Sequence, residues 1–159
     1  DLGRAVRALC TRLGATVETG AHPSTAAIAI VTPLGDDATT CVIAERLDAA
    51  RTVAVDALFD LSTARTLMAT PATDPSVLAA IHALLASDGA TVGVVGDSAG
   101  LVCQRVVAMV VSVGCGVVEQ GIATAADVDR AVVLGLGYPQ GPLAWGDALG
   151  AGRVARILE

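Results

Sequence analysis

The strongest constraint in this sequence is a change of pattern near residue 96. Before it, short apolar runs of strand length alternate with helical stretches. After it, no strand-like run remains. The runs are residues 15–18, 26–31 (AAIAIV), 52–55 (TVAV) and 91–95 (TVGVV). A continuous apolar run is the mark of a strand buried on both faces, and strands alternating with helices imply a parallel α/β sheet. Helical spacing is read over 2–13 from Leu2, Val6, Leu9 and Leu13, over about 39–48, and over 74–87 with Pro75 at the first position. Residues 61–73 fit neither period. The second part reads as one long helix over 98–120, about 35 Å at ~1.5 Å per residue. Gly121 ends it, and Thr124 caps a helix over about 124–134 with Asp127 in its first turn. Pro142 opens a third helix, and 150–158 holds a last one.

Hydrophobic residues make up 53% of the 159 and charged residues 16%, the reverse of what keeps a chain disordered. The net charge is -6 and no Lys/Arg cluster occurs, which sets nucleic acid aside as a partner. Cys10, Cys41, Cys103 and Cys115 form no CxxC pair, and His22 and His82 are distant from them, so no metal site is expected. Free thiols in a reducing cytoplasm fit this usage. No signal peptide opens the sequence. The most apolar run, 106–118 between Arg105 and Glu119, falls short of the ~18–20 residues of a membrane helix and reads as a buried core helix.

Three features carry candidate chemistry. The stretch Gly93-Val-Val-Gly96-Asp97-Ser98-Ala99-Gly100 follows a strand and enters a helix, yet matches neither GxGxxG nor a P-loop; Ser98 or Asp97 reads as a helix cap. The loop Gly135-Leu-Gly137-Tyr138-Pro139-Gln-Gly141, continuing to Trp145, holds two of three aromatic residues. It is either a corner with packed rings or a surface for a partner subunit or an acyl chain. On the long helix, Val102, Val106, Met109, Val110, Val113 and Val117 form a stripe that is core or subunit interface, widened by Val111 and Val118. The acidic residues Asp36, Asp37, Glu45, Asp127 and Asp129 read as caps or solvated faces. Neither histidine has an assignable partner as a general base.

The blocks Asp97-Ser-Ala-Gly100-Leu-Val-Cys-Gln104-Arg105, Glu119-Gln-Gly121, Asp127-Val-Asp129-Arg-Ala131, Gly135-Leu-Gly137-Tyr138-Pro139 and Gly141-Pro142-Leu with Asp147-Ala-Leu-Gly150 resemble, in order and spacing, the C-terminal domain of 3-hydroxyacyl-CoA dehydrogenases. The wording is nearest to long bacterial members of the phenylacetate-degradation type, which carry this helical module twice; this chain is similar to the second copy. The resemblance implies a helical domain that dimerises and packs on a catalytic Rossmann domain. It also implies NAD-dependent oxidation of a 3-hydroxyacyl-CoA by a histidine base that a glutamate orients. The family's His-Phe-Phe-Asn-Pro motif aligns with Ala57-Leu58-Phe59-Asp60-Leu61, and the glutamate twelve residues on aligns with Ala69. Ser98 and Gln104 stand at the substrate-side serine and asparagine positions.

The sequence thus predicts a reduced Rossmann-like parallel α/β half over 1–96 and an all-helical dehydrogenase module over 97–159. The segment is expected to serve dimerisation and domain packing in a cytoplasmic dehydrogenase, and to be inactive alone, because alanine accepts no proton. Interface candidates are Val106, Met109, Val110, Val113, Val117, Tyr138 and Trp145. NAD is expected on the whole enzyme and not on this segment. The alternatives are an acyl-CoA-binding module without chemistry, or a segment lending Ser98 and Gln104 to a shared site.

Overall fold

The runs at 52–55 and 91–95 become strands as read, and four strands line up in chain order: β1 (Ala29–Val31), β2 (Thr52–Val55), β3 (Ala64–Ala69) and β4 (Thr91–Val95). The computed structural model describes residues 2–20 and 22–159. It divides into two compact units, Asp1–Val102 and Cys103–Glu159.

In the first unit β1 and β2 are parallel, as are β3 and β4, but β2 and β3 are antiparallel. The expected parallel sheet is thus mostly parallel, with one antiparallel pair. Residues 56–63 join β2 to β3 without the helical crossover a parallel pair requires. Residues 15–18 form no strand, and 26–31 shortens to β1. Strand β3 lies in the stretch that fitted neither period. Its second residue, Arg65, is buried and stays charged because its neighbours satisfy it. Its Nε donates to Leu61 O (2.8 Å), and Nη1 and Nη2 grip both Asp88 carboxylate oxygens at 2.7 Å.

Helices α1 (Leu2–Arg12) and α3 (Pro75–Ala86) supply Val6, Leu9, Val77, Ile81 and Leu85 to a core shared with Val53, Val55 and Leu67. α2 (Ala38–Glu45) covers the other face, where Ala38 joins Ala54, Met68 and Leu101. Asp74 caps α3 by accepting from Ser76 N, with Pro75 first in the helix.

The second unit is helical: α4 (Val102–Glu119), α5 (Ala125–Leu136), α6 (Pro142–Leu149) and α7 (Ala151–Leu158). α4 starts four residues later than expected, and neither Ser98 nor Asp97 caps it. Gly121 (φ +68°) and Gly137 (φ +70°) stop α4 and α5 in the left-handed region that glycine adopts without a Cβ penalty. Thr124 caps α5 by accepting from Asp127 N. The expectation that the apolar run lies buried is corrected. α4 has 18 residues, is long and apolar enough by length and composition to cross a membrane, and is 28% buried over that window.

Candidate functional site: an apolar groove in the helical unit

Which face α4 buries decides what the stripe can be. Its inward face is Gln104, Val107, Ala108, Val111 and Gly114. The stripe read from the sequence points elsewhere: Val102 (50%), Val106 (54%), Met109 (56%) and Val113 (64%) are exposed, and Val110 and Val117 are half-buried. Of the two readings left open, core is removed within this unit. Met109, Val110, Val113, Gly114 and Val117 form one wall of a groove of about 280 Å³. Val128, Val132 and Leu136 of α5 form the other, with Tyr138 and Pro142 at the end. Every lining side chain except Tyr138 is apolar, so the groove offers shape and aliphatic surface and almost no hydrogen bonding.

The rings of Tyr138 and Trp145 pack against each other, centroids 5.6 Å apart and planes tilted by 49°. Gln104 is fully buried on the inward face of α4, whereas Ser98 is exposed on the loop after β4, its Oγ 3.5 Å from Gly96 O. They belong to different compact units.

Ala57 lies two residues beyond the end of β2, outside the paired register in which Ala69 stands. Ala69 pairs with Val53, four residues before Ala57, which is roughly 13 Å along a strand at ~3.3 Å per residue. The pair twelve residues apart that does lie opposite is Val55 and Leu67, both fully buried and aliphatic. Among the described residues no group of three or more His, Cys, Asp or Glu side chains could hold a metal ion. The expected burial of the thiols holds for Cys10 only; Cys41 and Cys103 are half-buried and Cys115 is exposed. Burial pushes the Cys41 thiol up to about 11, and Glu45 adds to this.

The first unit does not fit a dinucleotide at the turn from β1 into α2. A pyrophosphate there would need the first N–H groups of α2. Those groups are taken: Ala38 N and Thr39 N donate to the Asp97 carboxylate (2.8 and 3.2 Å), and Thr40 N donates to Asp37 Oδ1 (2.5 Å). Two carboxylates fill the site an anion would occupy, and sequence reading had placed Asp97 on a different helix.

Residues 100–159 match the profile of the 3-hydroxyacyl-CoA dehydrogenase C-terminal domain. Over 75 residues, 47% of this chain and 16% of the relative, the sequence is 41% identical to 3-hydroxyadipyl-CoA dehydrogenase of Escherichia coli strain K12. In structure it is similar to 3-hydroxybutyryl-CoA dehydrogenase from Escherichia coli (TM-score 0.64, 30% identity, 90% of this chain and 30% of that one). It also shares the fold of (S)-3-hydroxybutyryl-CoA dehydrogenase from Ralstonia eutropha (TM-score 0.63, 22% identity, 99% of this chain and 54% of that one). The chain thus spans about a third to a half of the solved relatives it matches.

Proposed function

We propose that this chain is part of a 3-hydroxyacyl-CoA dehydrogenase and serves that enzyme by packing and self-association, with hydride chemistry carried elsewhere; the profile match over residues 100–159 supports this reading. The observation that carries this reading is the exposed stripe Val106, Met109 and Val113 beside an aliphatic groove. Full burial of a valine or methionine contributes about 1.5–3 kcal/mol over exposure, so covering these half-exposed side chains gives several kcal/mol toward association. The occupant is the helical unit of a second copy, since a two-fold pair lays the same stripe on both sides. NAD and a 3-hydroxyacyl-CoA belong to the whole enzyme on this reading, as does its cytoplasmic setting. On this reading the positions aligned with the family's base and its orienting acid, Ala57 and Ala69, and the facing pair Val55 and Leu67 are aliphatic and accept no proton.

Sedimentation equilibrium of the purified chain and of Val113→Asp tests this. The expected result is a dimer that the aspartate converts to monomer with helix content kept. An equally strong dimer in the variant would remove the groove as the interface. The lining also suits an acyl chain; a monomeric wild type whose Trp145 emission responds to a saturated acyl-CoA would favour that occupant instead.

A further inference from the structure

We propose that Asp129 is the positioning residue of this groove, setting its shape through α6; the inference rests on the docking reading above. α6 begins after Gly141, which offers no side-chain cap. Its first N–H groups are served from α5: Leu143 N donates to Asp129 Oδ1 (2.7 Å) and Ala144 N to Asp129 Oδ2 (3.1 Å). A carboxylate at a helix N-terminus is favoured by both hydrogen bonding and the helix dipole. Its approach is so close that a Cβ at position 141 would overlap the Asp129 side chain, so the acid in this place requires the glycine. The next residue, Pro142, then lies against α4, where a Cβ at Gly114 would sit 2.6 Å from Pro142 Cβ. Gly114, Pro142 and Val128, the neighbour of Asp129, all line the groove. One carboxylate on α5 therefore fixes α6, α6 fixes Pro142, and Pro142 on Gly114 closes the end of the groove. The same placement brings Trp145, one turn into α6, onto Tyr138.

The test uses the full chain, whose one tryptophan and one tyrosine are this ring pair. Asp129→Ala and Gly141→Ala are each expected to shift Trp145 emission and to weaken self-association at least ~tenfold, equivalent to about 1.4 kcal/mol. Far-UV circular dichroism confirms that the variants remain folded. Gly141→Ala introduced into an Asp129→Gly background is expected to add nothing, because the side chain it would strike is gone. Unchanged emission and association in Asp129→Ala would overturn the proposal. So would a Gly141→Ala effect of the same size with and without the aspartate. If the wild type never self-associates, the docking reading falls. The emission and the double-variant comparison then decide the positioning role by themselves.

Discussion

Helices α3 and α4 are written in the same aliphatic residues and end in different surroundings. α3 buries one stripe, Val77, Ile81 and Leu85, at spacings of four against a sheet that offers Val53, Val55 and Leu67 in return. α4 carries valines around most of its circumference, and only the side that holds Gln104, Val107, Ala108, Val111 and Gly114 is buried. The second unit, residues 103–159, is small, and a small unit buries a lower fraction of its apolar surface. The lesson is that apolar composition sets how much surface a helix would hide, while the neighbours available set how much it does hide. The excess on α4 stays exposed, as do Ile122, Leu134 and Leu136 in the same unit.

The sharpest way to break this comparison is to empty a filled site. Leu85→Ala should cost about 3 kcal/mol, read as a fall in the urea midpoint, because Leu85 is fully buried in the core of the first unit. Val106→Ala on the exposed stripe, made in the monomeric Val113→Asp background so that self-association does not contribute, should change unfolding by less than about 0.5 kcal/mol. Equal losses would mean that α4 is buried as thoroughly as α3. Next in size, Gly114→Ala should cost ~2 kcal/mol by overpacking against Pro142, since the added methyl meets a proline ring that cannot swing away. Thermal unfolding followed at Trp145 should show the loss.

A third test asks what holds the first unit together besides apolar contact. The Arg65 guanidinium, with help from Arg12, holds the Asp88 carboxyl far below its usual range near ~4. A depressed acid stabilises the fold above its unfolded pKa, and that contribution is lost as the pH falls through the folded value. The urea midpoint should therefore drop below about pH 4, and Asp88→Asn should lower it at neutral pH while flattening the acid limb. Glu18, Asp60 and Asp74, lowered by hydrogen bonds from Ser24, Ser62 and Ser76, act in the same direction, so some slope should survive. An unchanged acid limb in the variant would remove Asp88 as its source. The smallest effect is expected at Arg46, which ends α2 at φ 55°. Arg46→Gly should stabilise by about 0.5–1 kcal/mol in the same assay, since glycine adopts that conformation without a Cβ penalty. A loss would show that the arginine side chain earns its place.

Elements with local signals were legible: Pro75 behind Asp74, Thr124 before α5, Pro142 opening α6 and the runs that became β2 and β4. β3 was not, because a buried arginine interrupts its pattern, and only Asp88, Leu61 and Leu85, distant in sequence or off the strand, make that burial tolerable. Residues 15–18 look like a strand and are not one, since no ladder partner reaches them. In the groove, the stripe residues and the ring pair were nameable from spacing and composition. Asp129 was read as a cap or a solvated face, but not as the cap of α6, a helix on another part of the chain, although an acid twelve residues before a glycine-proline helix start is a signal that could have suggested it.

The sequence by itself determined where α4 ends and where α5 and α6 begin, that the first unit is an α/β sheet, and which residues are apolar enough to pack. Caps, glycine stops and apolar periods act within a few residues, so they can be read in order along the chain. Only the tertiary structure decided that β3 reverses the sheet, that Asp97 closes α2, that Asp129 holds α6, and which side of α4 faces outward. Each of these is a contact between residues far apart in sequence or on different elements, and its energy exists only once the elements meet.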